Sequence, residues 1–591
     1  MIPLAIAQSA EKEVLVIALD SLASAKLRER NIAHQTPVRF LNLSGDDDEF
    51  TNKAVTFAKT WYQPFGDSLW YDGVSLGEVV EYDFCFLFND ALRSIEIARK
   101  IMEQFSPDEI VLPYKTTFDM PPMVCYEALA PALSHLASLN GIKTSVIRLD
   151  PMDKLAALTT SSKERLASFF YNEKERLASF FYNAAGQTRA LLSKKSTKND
   201  THKKKILLPI PSAHTIEREI DNNNAICYPT DLTTLTGRRP KKLTKDLTSI
   251  WEDFTKSPSF VTSLKYKDVP LYRVLERRFI NYFSFRLPLL AKLCENMQKN
   301  IKTLNPDILV LMEDVTPPIR LLSKICKGQG IPVLVLQHGA VAGDIGGFHV
   351  MPLEADKQAV WGEIPQEWHV KRGKDIESQV ITGNYRFDPI ARGYAVNREE
   401  VYRQLGIDSN KGVIVFGTDW YTGFSVSYTW EMNEDFIRQA LEALVPYRDM
   451  QIVVKLHPTR HQEYSKIVAE IANEVGLEVI LTKDYLWELL SICDLLICGN
   501  STIGMEAMFF AKPVILVNLY NIPEIPYEAY QAALGVRNPG DFRSAIDLAL
   551  HDPKVRAELE LNQKRFLEGY TYKRDGQASN RVACLIMEMV S

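Results

Sequence analysis

The residues Gly499-Asn500-Ser501-Thr502 close a short apolar run, and Glu506 follows shortly after them. Small residues at such a point let a bound group approach the backbone closely. STIGMEAMFF then reads as the start of a helix, with Ser501 or Thr502 near its N-cap position. The exposed N–H groups and the dipole of that terminus attract phosphate oxygens. Glu506 falls about one turn in, where its carboxylate could accept hydrogen bonds from ribose hydroxyls. The plainer alternative is a capped helix whose glutamate only favours the dipole.

Comparable residues follow other apolar runs. Glu313 and Asp314, ahead of Thr-Pro-Pro, come after 307–312, and His338-Gly339 come after 332–337. Gly383-Asn384 end the run 379–384. Gly417, Thr418 and Asp419 stand at the end of 412–417, and His457-Pro458-Thr459-Arg460 follow 451–456. In open parallel sheets ligands sit beyond the carboxyl ends of the strands, so these polar groups would converge on a cleft.

The elements that must position them alternate, short β-branched runs with helical stretches, which is the pattern of parallel α/β folds. Residues 1–150 read as an N-terminal β/α domain with strands at 14–19, 38–43, 83–88, 109–114 and 144–149. Its acidic GDDDEF, 45–50, reads as a solvated loop rather than a metal site. Residues 151–204 hold the exact repeat KERLASFFYN at 163–172 and 174–183, then a basic polar linker. The repeat's eleven-residue period keeps Leu166, Phe169 and Phe170 in phase with Leu177, Phe180 and Phe181 on one helical stripe. A second series, 205–395, has strands at 205–211, 225–229, 307–312, 332–337, 358–362 and 379–384. A helical insertion at about 240–304 interrupts it. The insertion's basic, aromatic RRFINYFSFRLPLLAKL (277–293) reads as core-packing helix, with contact to a lipid-linked or anionic acceptor as the alternative. The third series, 396–570, has strands at 412–417, 451–456, 478–482, 494–499 and 513–518.

Composition narrows the class. The 591 residues are 46% hydrophobic and 24% charged, with a net charge of −5, so no global basic field argues for nucleic acid. Eight scattered cysteines without a CxxC pair read as reduced thiols, not as disulfides or a zinc site. No run approaches the length of a membrane span. The apolar start lacks a basic n-region, against a signal peptide. The expectation is a soluble cytoplasmic protein, with peripheral association at the inner face of a membrane as an alternative.

Four motifs carry a resemblance. GNSTIGMEAMFFAKPVI resembles the donor-binding signature of GT-B-fold glycosyltransferases. VVKLHP (453–458) resembles a segment of bacterial surface and capsular polysaccharide enzymes, including polysialic acid transferases and CDP-glycerol glycerophosphotransferases. VLVLQHGAV, VWGE and VITGNYRFD resemble the acceptor lobe of that group, and YTYKRDGQASNRVACLI its closing helix. The resemblance spans about 205–591. It implies an α/β GT-B fold, two Rossmann-like lobes with a cleft, here behind an additional N-terminal β/α domain.

The resemblance also implies roles. Residues 205–395 would form the acceptor lobe, 396–570 the nucleotide-donor lobe, and 571–591 the closing helix. Asn500 belongs to the donor-loop motif, in which Ser501 and Thr502 would contact the donor's phosphates and Glu506 its ribose. Lys455 and His457 would face the diphosphate, although a histidine before proline can simply end a strand. Arg460 would be a second cation for the leaving nucleotide, and Gly417 and Thr418 would line the phosphate pocket. Such enzymes commonly need no metal, and no cofactor is expected beyond a nucleotide-sugar substrate. Among candidate bases, His338 is favoured over Glu313 and Asp314, with Asp344 an outsider. The alternative for His338 is a backbone hydrogen bond in the QHG turn. The expected activity is transfer of a sugar to a surface glycan, lipid-linked or protein acceptor. CDP-glycerol-type phosphotransfer, 2-epimerase-like isomerisation and a non-catalytic scaffold are the alternatives.

Overall fold

The computed structural model describes residues 13–41, 47–113, 126–147, 203–210, 213–222, 225–228, 241–257, 260, 263–341, 354–418, 429–458, 461–522 and 524–591. The tandem repeat, Asp344, Asp419, Thr459 and Arg460 lie outside these residues.

The N-terminal layer is dominated by helices α1 (Asp47–Thr60) and α2 (Glu81–Phe105), followed by parallel strands β1 (Glu109–Pro113) and β2 (Lys143–Ile147). Three of the expected strands are corrected here. DFCFLF, 83–88, alternates like a strand but lies inside α2, whose first half is buried on every side. Acidic Glu81 and Asp83 occupy the first turn of α2, and contacts on all faces remove any one-sided apolar stripe. The segment 38–43 is likewise not a strand, because Pro37 starts a 3-10 turn at Pro37–Phe40. At 14–19 there is a single parallel bridge, Ile17 to Gln35. Of the acidic stretch 45–50, residues 47–50 begin α1 rather than a loop.

The insertion supplies helices α3 (Lys241–Phe254) and α4 (Leu287–Leu304), with short helical turns, a π-turn and a two-stranded hairpin among the described residues between them. It shares one aromatic core with the N-terminal layer. Trp61 stacks on Phe84 at 4.1 Å, and Trp251 stacks on Phe279 at 4.9 Å. Phe279 in turn meets Phe84 at 5.1 Å. Tyr282 donates to the buried Asp83 carboxylate, and Arg278 pairs with Glu127. RRFINYFSFRLPLLAKL is thus core-packing, with Phe279, Tyr282 and Phe283 buried.

The next lobe holds strands β3 (Lys205–Leu207), β4 (Ile226–Tyr228), β5 (Ile308–Leu311), β6 (Val333–Leu336), β7 (Lys357–Val360) and β8 (Gln379–Ile381), with helix α5 (Pro317–Gly328) after β5. They form an all-parallel sheet in the order β8-β7-β6-β5-β3-β4. The last lobe holds β9 (Val413–Gly417), β10 (Gln451–Lys455), β11 (Val479–Thr482), β12 (Leu495–Cys498), β13 (Val514–Val517) and β14 (Leu534–Val536). Its helices include α6 (Trp430–Leu444), α7 (Leu486–Ile492) and α8 (Ile503–Phe509). This sheet is also all parallel, in the order β11-β10-β9-β12-β13-β14. Central strands such as β5, β6, β12 and β13 are buried throughout, which is why they read as unbroken Val/Ile/Leu runs. Among the described strands of these two sheets, only β14 had no counterpart in the sequence reading, because its three residues, Leu-Gly-Val, carry little pattern; the short hairpins Trp70–Tyr71/Val74–Ser75 and Lys265–Tyr266/Val269–Pro270 had none either.

The chain crosses between the lobes twice, which completes the two-lobed GT-B arrangement. It leaves β8 through Tyr385–Ala391 and returns through α9 (Pro553–Thr571), from which residues 572–577 lead into α10 (Ala578–Met589). Helix α10 lies in the first lobe's core, its Val582, Ala583 and Ile586 among Ile206, Val310 and Leu334. The buried Asp388 carboxylate caps α10, accepting from Ala578 N at 2.9 Å and Ser579 N at 2.8 Å. Where α9 passes the first lobe, a Cβ on Gly362 would lie 2.5 Å from the Gly569 carbonyl oxygen, so only glycine fits there. No described helix is long and apolar enough to cross a membrane.

Replacing Asp388 with alanine removes both caps at once. The expected loss is about 2 kcal/mol, read as a lower melting temperature, while Asp388→Asn keeps part of it. An unchanged melt for Asp388→Ala would mean that this cap does not anchor the closing helix.

Candidate functional site

The strand order of the last lobe is the doubly wound one, in which connections reverse direction between β9 and β12 and leave a crevice beyond their carboxyl ends. Register sets what stands there. Gly417 is opposite Lys455 on one side and Cys498 on the other, and Lys455 is opposite Thr482. Thr418 N donates to the Lys455 carbonyl at 3.0 Å, and Thr418 Oγ1 accepts from His457 N at 2.9 Å. The structure thus brings together Gly417, Thr418, Lys455, His457 and the loop after β12.

That loop is held from behind. Asn500 Oδ1 accepts from Ile525 N at 2.9 Å. The buried Tyr527 hydroxyl donates to the Ser501 carbonyl at 2.9 Å and accepts from Met505 N at 3.2 Å. A Cβ on Gly504 would come within 2.8 Å of the Tyr527 ring, which explains a glycine inside so short a helix. Thr502 takes helical dihedrals, and its hydroxyl makes no cap. Ser501 Oγ meets Ile503 N only at 3.5 Å. The N-cap expected of Ser501 or Thr502 is therefore weak, and the backbone hydrogen bonds of Tyr527 shape the loop instead.

Glu506 sits in α8 facing two cations. Its carboxylate accepts from Trp487 Nε1–H on α7. Burial pushes its pKa up, opposed by Trp487, by Arg386 and by Lys455. Lys455 is buried in turn, with Nζ donating to the Leu456 carbonyl at 3.2 Å. Burial lowers its pKa, while Asp484 and Glu506 support its charge.

Of the three candidate bases, His338 is the one that shares a partner with this group. Its carbonyl accepts from Arg386, whose guanidinium lies 5.8 Å from the Trp361 ring centre. Burial and the Arg386 charge lower the imidazole pKa to about 4, so it is neutral above that pH. Glu313 and Asp314 are committed elsewhere. Glu313 accepts from Val315 N at 2.7 Å, from Thr316 N at 2.9 Å and from the Thr316 hydroxyl, closing the turn into α5. Asp314 accepts from Glu354 N at 2.6 Å and Ala355 N at 2.8 Å. Burial raises both, Asp314 to about 6. These carboxylates hold loops together.

Three residues that complete the site were not singled out from the sequence: Arg386, Trp487 and Tyr527. Arg386 follows the end of β8 just as the others follow their strands, and extending the post-strand scan past Asn384 would have reached it. Trp487 and Tyr527 act from behind the strand ends and carry no motif of their own.

Residues 430–529, which contain most of this site, match the family model described as capsule polysaccharide biosynthesis protein. The match bears out the resemblance to capsular polysaccharide enzymes. A lipid-A-disaccharide synthase of Geobacter sulfurreducens is 20% identical over 312 residues, 48% of this chain and 76% of that protein. Among solved structures, a UDP-GlcNAc 2-epimerase from Neisseria meningitidis bound to UDP-GlcNAc is 13% identical, covers 65% of this chain and 100% of its own, and has a TM-score of 0.43. A glycosyltransferase from Rickettsia africae is 12% identical, covers 66% of this chain and 99% of its own, and has a TM-score of 0.39.

Thr418→Val keeps shape but removes the acceptor for His457 N. It should cost about 1–2 kcal/mol in thermal unfolding, while Thr418→Ser stays near wild type. Equal losses in both variants would mean that methyl packing, not the hydrogen bond, is what Thr418 contributes.

Proposed function

We propose that this chain is a glycosyltransferase that moves a sugar from a nucleotide-activated donor to a surface glycan, a lipid-linked intermediate or a protein acceptor, without a metal cofactor. One observation carries the reading. The segment matching capsule polysaccharide biosynthesis encloses Lys455, His457, Asn500, Ser501, Thr502 and Glu506, and the register of the donor sheet gathers their strand ends at its switch point.

On this reading Glu506 takes the ribose hydroxyls, and Gly417, Thr418 and the loop Gly499–Thr502 surround the phosphates. Lys455, His457 and Arg460 stabilise negative charge on the departing nucleotide. The acceptor hydroxyl oxygen bonds to the anomeric carbon as that carbon's bond to the donor phosphate breaks. The electron pair leaves with the nucleotide, and the hydroxyl proton passes to His338. His338 is neutral at pH 7 and can accept that proton, and burial makes it a weaker base than a free imidazole. The epimerase-like alternative needs further acid/base carboxylates around the sugar, and Glu313 and Asp314 are already engaged by backbone donors.

Incubation with UDP-, CDP-, GDP- and CMP-activated substrates separates the readings by product. Released nucleotide with a glycosylated acceptor supports transfer, glycerol phosphate on the acceptor supports the phosphotransferase, and an epimerised sugar supports isomerisation. In a thermal-shift panel, a ligand at a hundredfold excess over its Kd stabilises by about 2.7 kcal/mol, and Glu506→Ala should abolish the shift. No shift with any nucleotide would favour the scaffold reading.

The pH profile tests the base. A base with its pKa lowered to about 4 loses activity only as pH falls through that value, so kcat/KM should stay level from pH 7 down to about 5. His338→Gln should lower kcat/KM by about a hundredfold or more. An acid limb near the ordinary histidine value of about 6.5, unmoved in His338→Gln, would assign the base elsewhere.

A further inference from the structure

We propose that Trp487 is a positioning residue for the ribose contact: its indole N–H turns and holds the Glu506 carboxylate, and that hold gives the site a preference for ribonucleotides over 2′-deoxyribonucleotides. The inference rests on the nucleotide-sugar reading and says how the ribose end of that site is built.

Trp487 reaches Glu506 from a neighbouring helix. It is the second residue of α7, and its Nε1–H donates to Glu506 Oε2 on α8. Two residues from the chain that has just crossed between the lobes clamp α7 in place. Tyr394 packs its ring edge-on against the Trp487 ring at 5.1 Å, and its hydroxyl donates to Glu488 at 2.7 Å. Arg398 Nη2 donates to the Ser491 carbonyl near the end of the helix, at 3.2 Å. Tyr394 and Trp487 both rest on the apolar core of the last lobe. These contacts fix the direction from which the indole reaches Glu506.

The acceptor side explains what that direction does. Glu506 keeps part of its surface exposed, so a ligand can reach it. Among the described residues the indole is the hydrogen-bond donor on this carboxyl, while Arg386 and Lys455 act on it through charge. A carboxylate has about four acceptor directions on two oxygens, so one bond sets its plane and leaves Oε1 and part of Oε2 for neighbouring hydroxyls. An indole is a donor only, so unlike a hydroxyl it cannot reverse the bond. Burial favours the protonated carboxyl, and the indole bond opposes it. A charged acceptor holds a hydroxyl more strongly than a neutral one. Without the N–H, the carboxyl keeps its proton to higher pH and turns more freely, and a ribose hydroxyl meets a weaker and less directed acceptor.

Titration calorimetry across pH with UDP, CDP, GDP and CMP and with their 2′-deoxy forms, on wild type and Trp487→Phe, tests this. In wild type, the nucleotide that binds should lose about tenfold or more in its 2′-deoxy form. Trp487→Phe keeps an aromatic ring and removes the donor. The gap should then shrink to about threefold or less, with 2′-deoxy affinity within about threefold of wild type. Ribonucleotide affinity should also fall as the carboxyl takes up its proton, and the midpoint of that fall should move up by about one pH unit in the variant. Circular dichroism and melting control for folding. Trp487→Met, which fills the space without a donor, carries the comparison if the phenylalanine variant does not fold. A variant that keeps the full preference, or loses it with an unmoved midpoint, would overturn the role of Trp487 and leave the nucleotide reading standing. Equal binding of ribo and 2′-deoxy forms by wild type would take the ribose away from Glu506 and overturn the inference with it. Binding of no nucleotide by wild type would overturn the inference and the nucleotide reading together.

Discussion

Everything at the candidate site depends on strands that run the same way. In a parallel ladder, carboxyl ends share one edge, so residues far apart in the chain become neighbours without any local signal joining them. Pairing Gly417 with both Lys455 and Cys498 brings together three segments that span some eighty residues. Lys455, Thr418 and His457 are then tied by two hydrogen bonds that continue the ladder past its end. A slip of one residue in β9 would turn its side chains to the opposite face and break that link. The core and the site are therefore specified by the same pattern of buried Val, Ile and Leu.

That dependence explains what could be read in advance. Both large sheets were legible because fully buried strands are short unbroken apolar runs bounded by helices, and their ends pointed to Thr418, Lys455, His457 and Glu506. The N-terminal layer was harder to read. Phe84, Phe86 and Phe88 alternate as a strand would, yet they sit in a helix whose neighbours bury all its faces, so periodicity carried no information there. Arg386, Trp487 and Tyr527 were missed for a different reason. Each acts on a residue distant in sequence, through a hydrogen bond or a charge that only the folded chain brings into range.

Carboxylates make the same point. Glu313, Asp314 and Glu506 all follow strands, and burial raises the pKa of all three. Residue type and position after a strand do not tell them apart; their partners do. Glu313 and Asp314 accept from backbone N–H groups and so close loops. Glu506 accepts from one indole and otherwise faces cations, an arrangement that leaves acceptor capacity for hydroxyl groups. The distinction lies in hydrogen-bond accounting, which becomes readable only once the chain is folded.

The N-terminal layer touches both lobes, and its attachments differ in kind. Toward the first lobe, the buried Arg320 pairs with Glu81 at 3.3 Å, and Lys324 with Glu78 at 2.7 Å. Toward the last lobe, Arg28 meets the buried Glu434 at 2.8 Å with its own side chain 43% exposed, and Tyr126 donates to Glu431 at 3.3 Å. Two lobes joined by two covalent crossings and a third body attached to both make a closed mechanical linkage, in which no single side can turn without changing the length of another. The weakest joint sets the motion. Severing one partner of a buried pair costs about 3–5 kcal/mol, whereas an exposed pair is worth about 1 kcal/mol or less. By this measure the attachment to the first lobe, where both Arg320 and Glu81 are buried, is the firmer one, and the attachment to the last lobe, where Arg28 is partly exposed, is the looser.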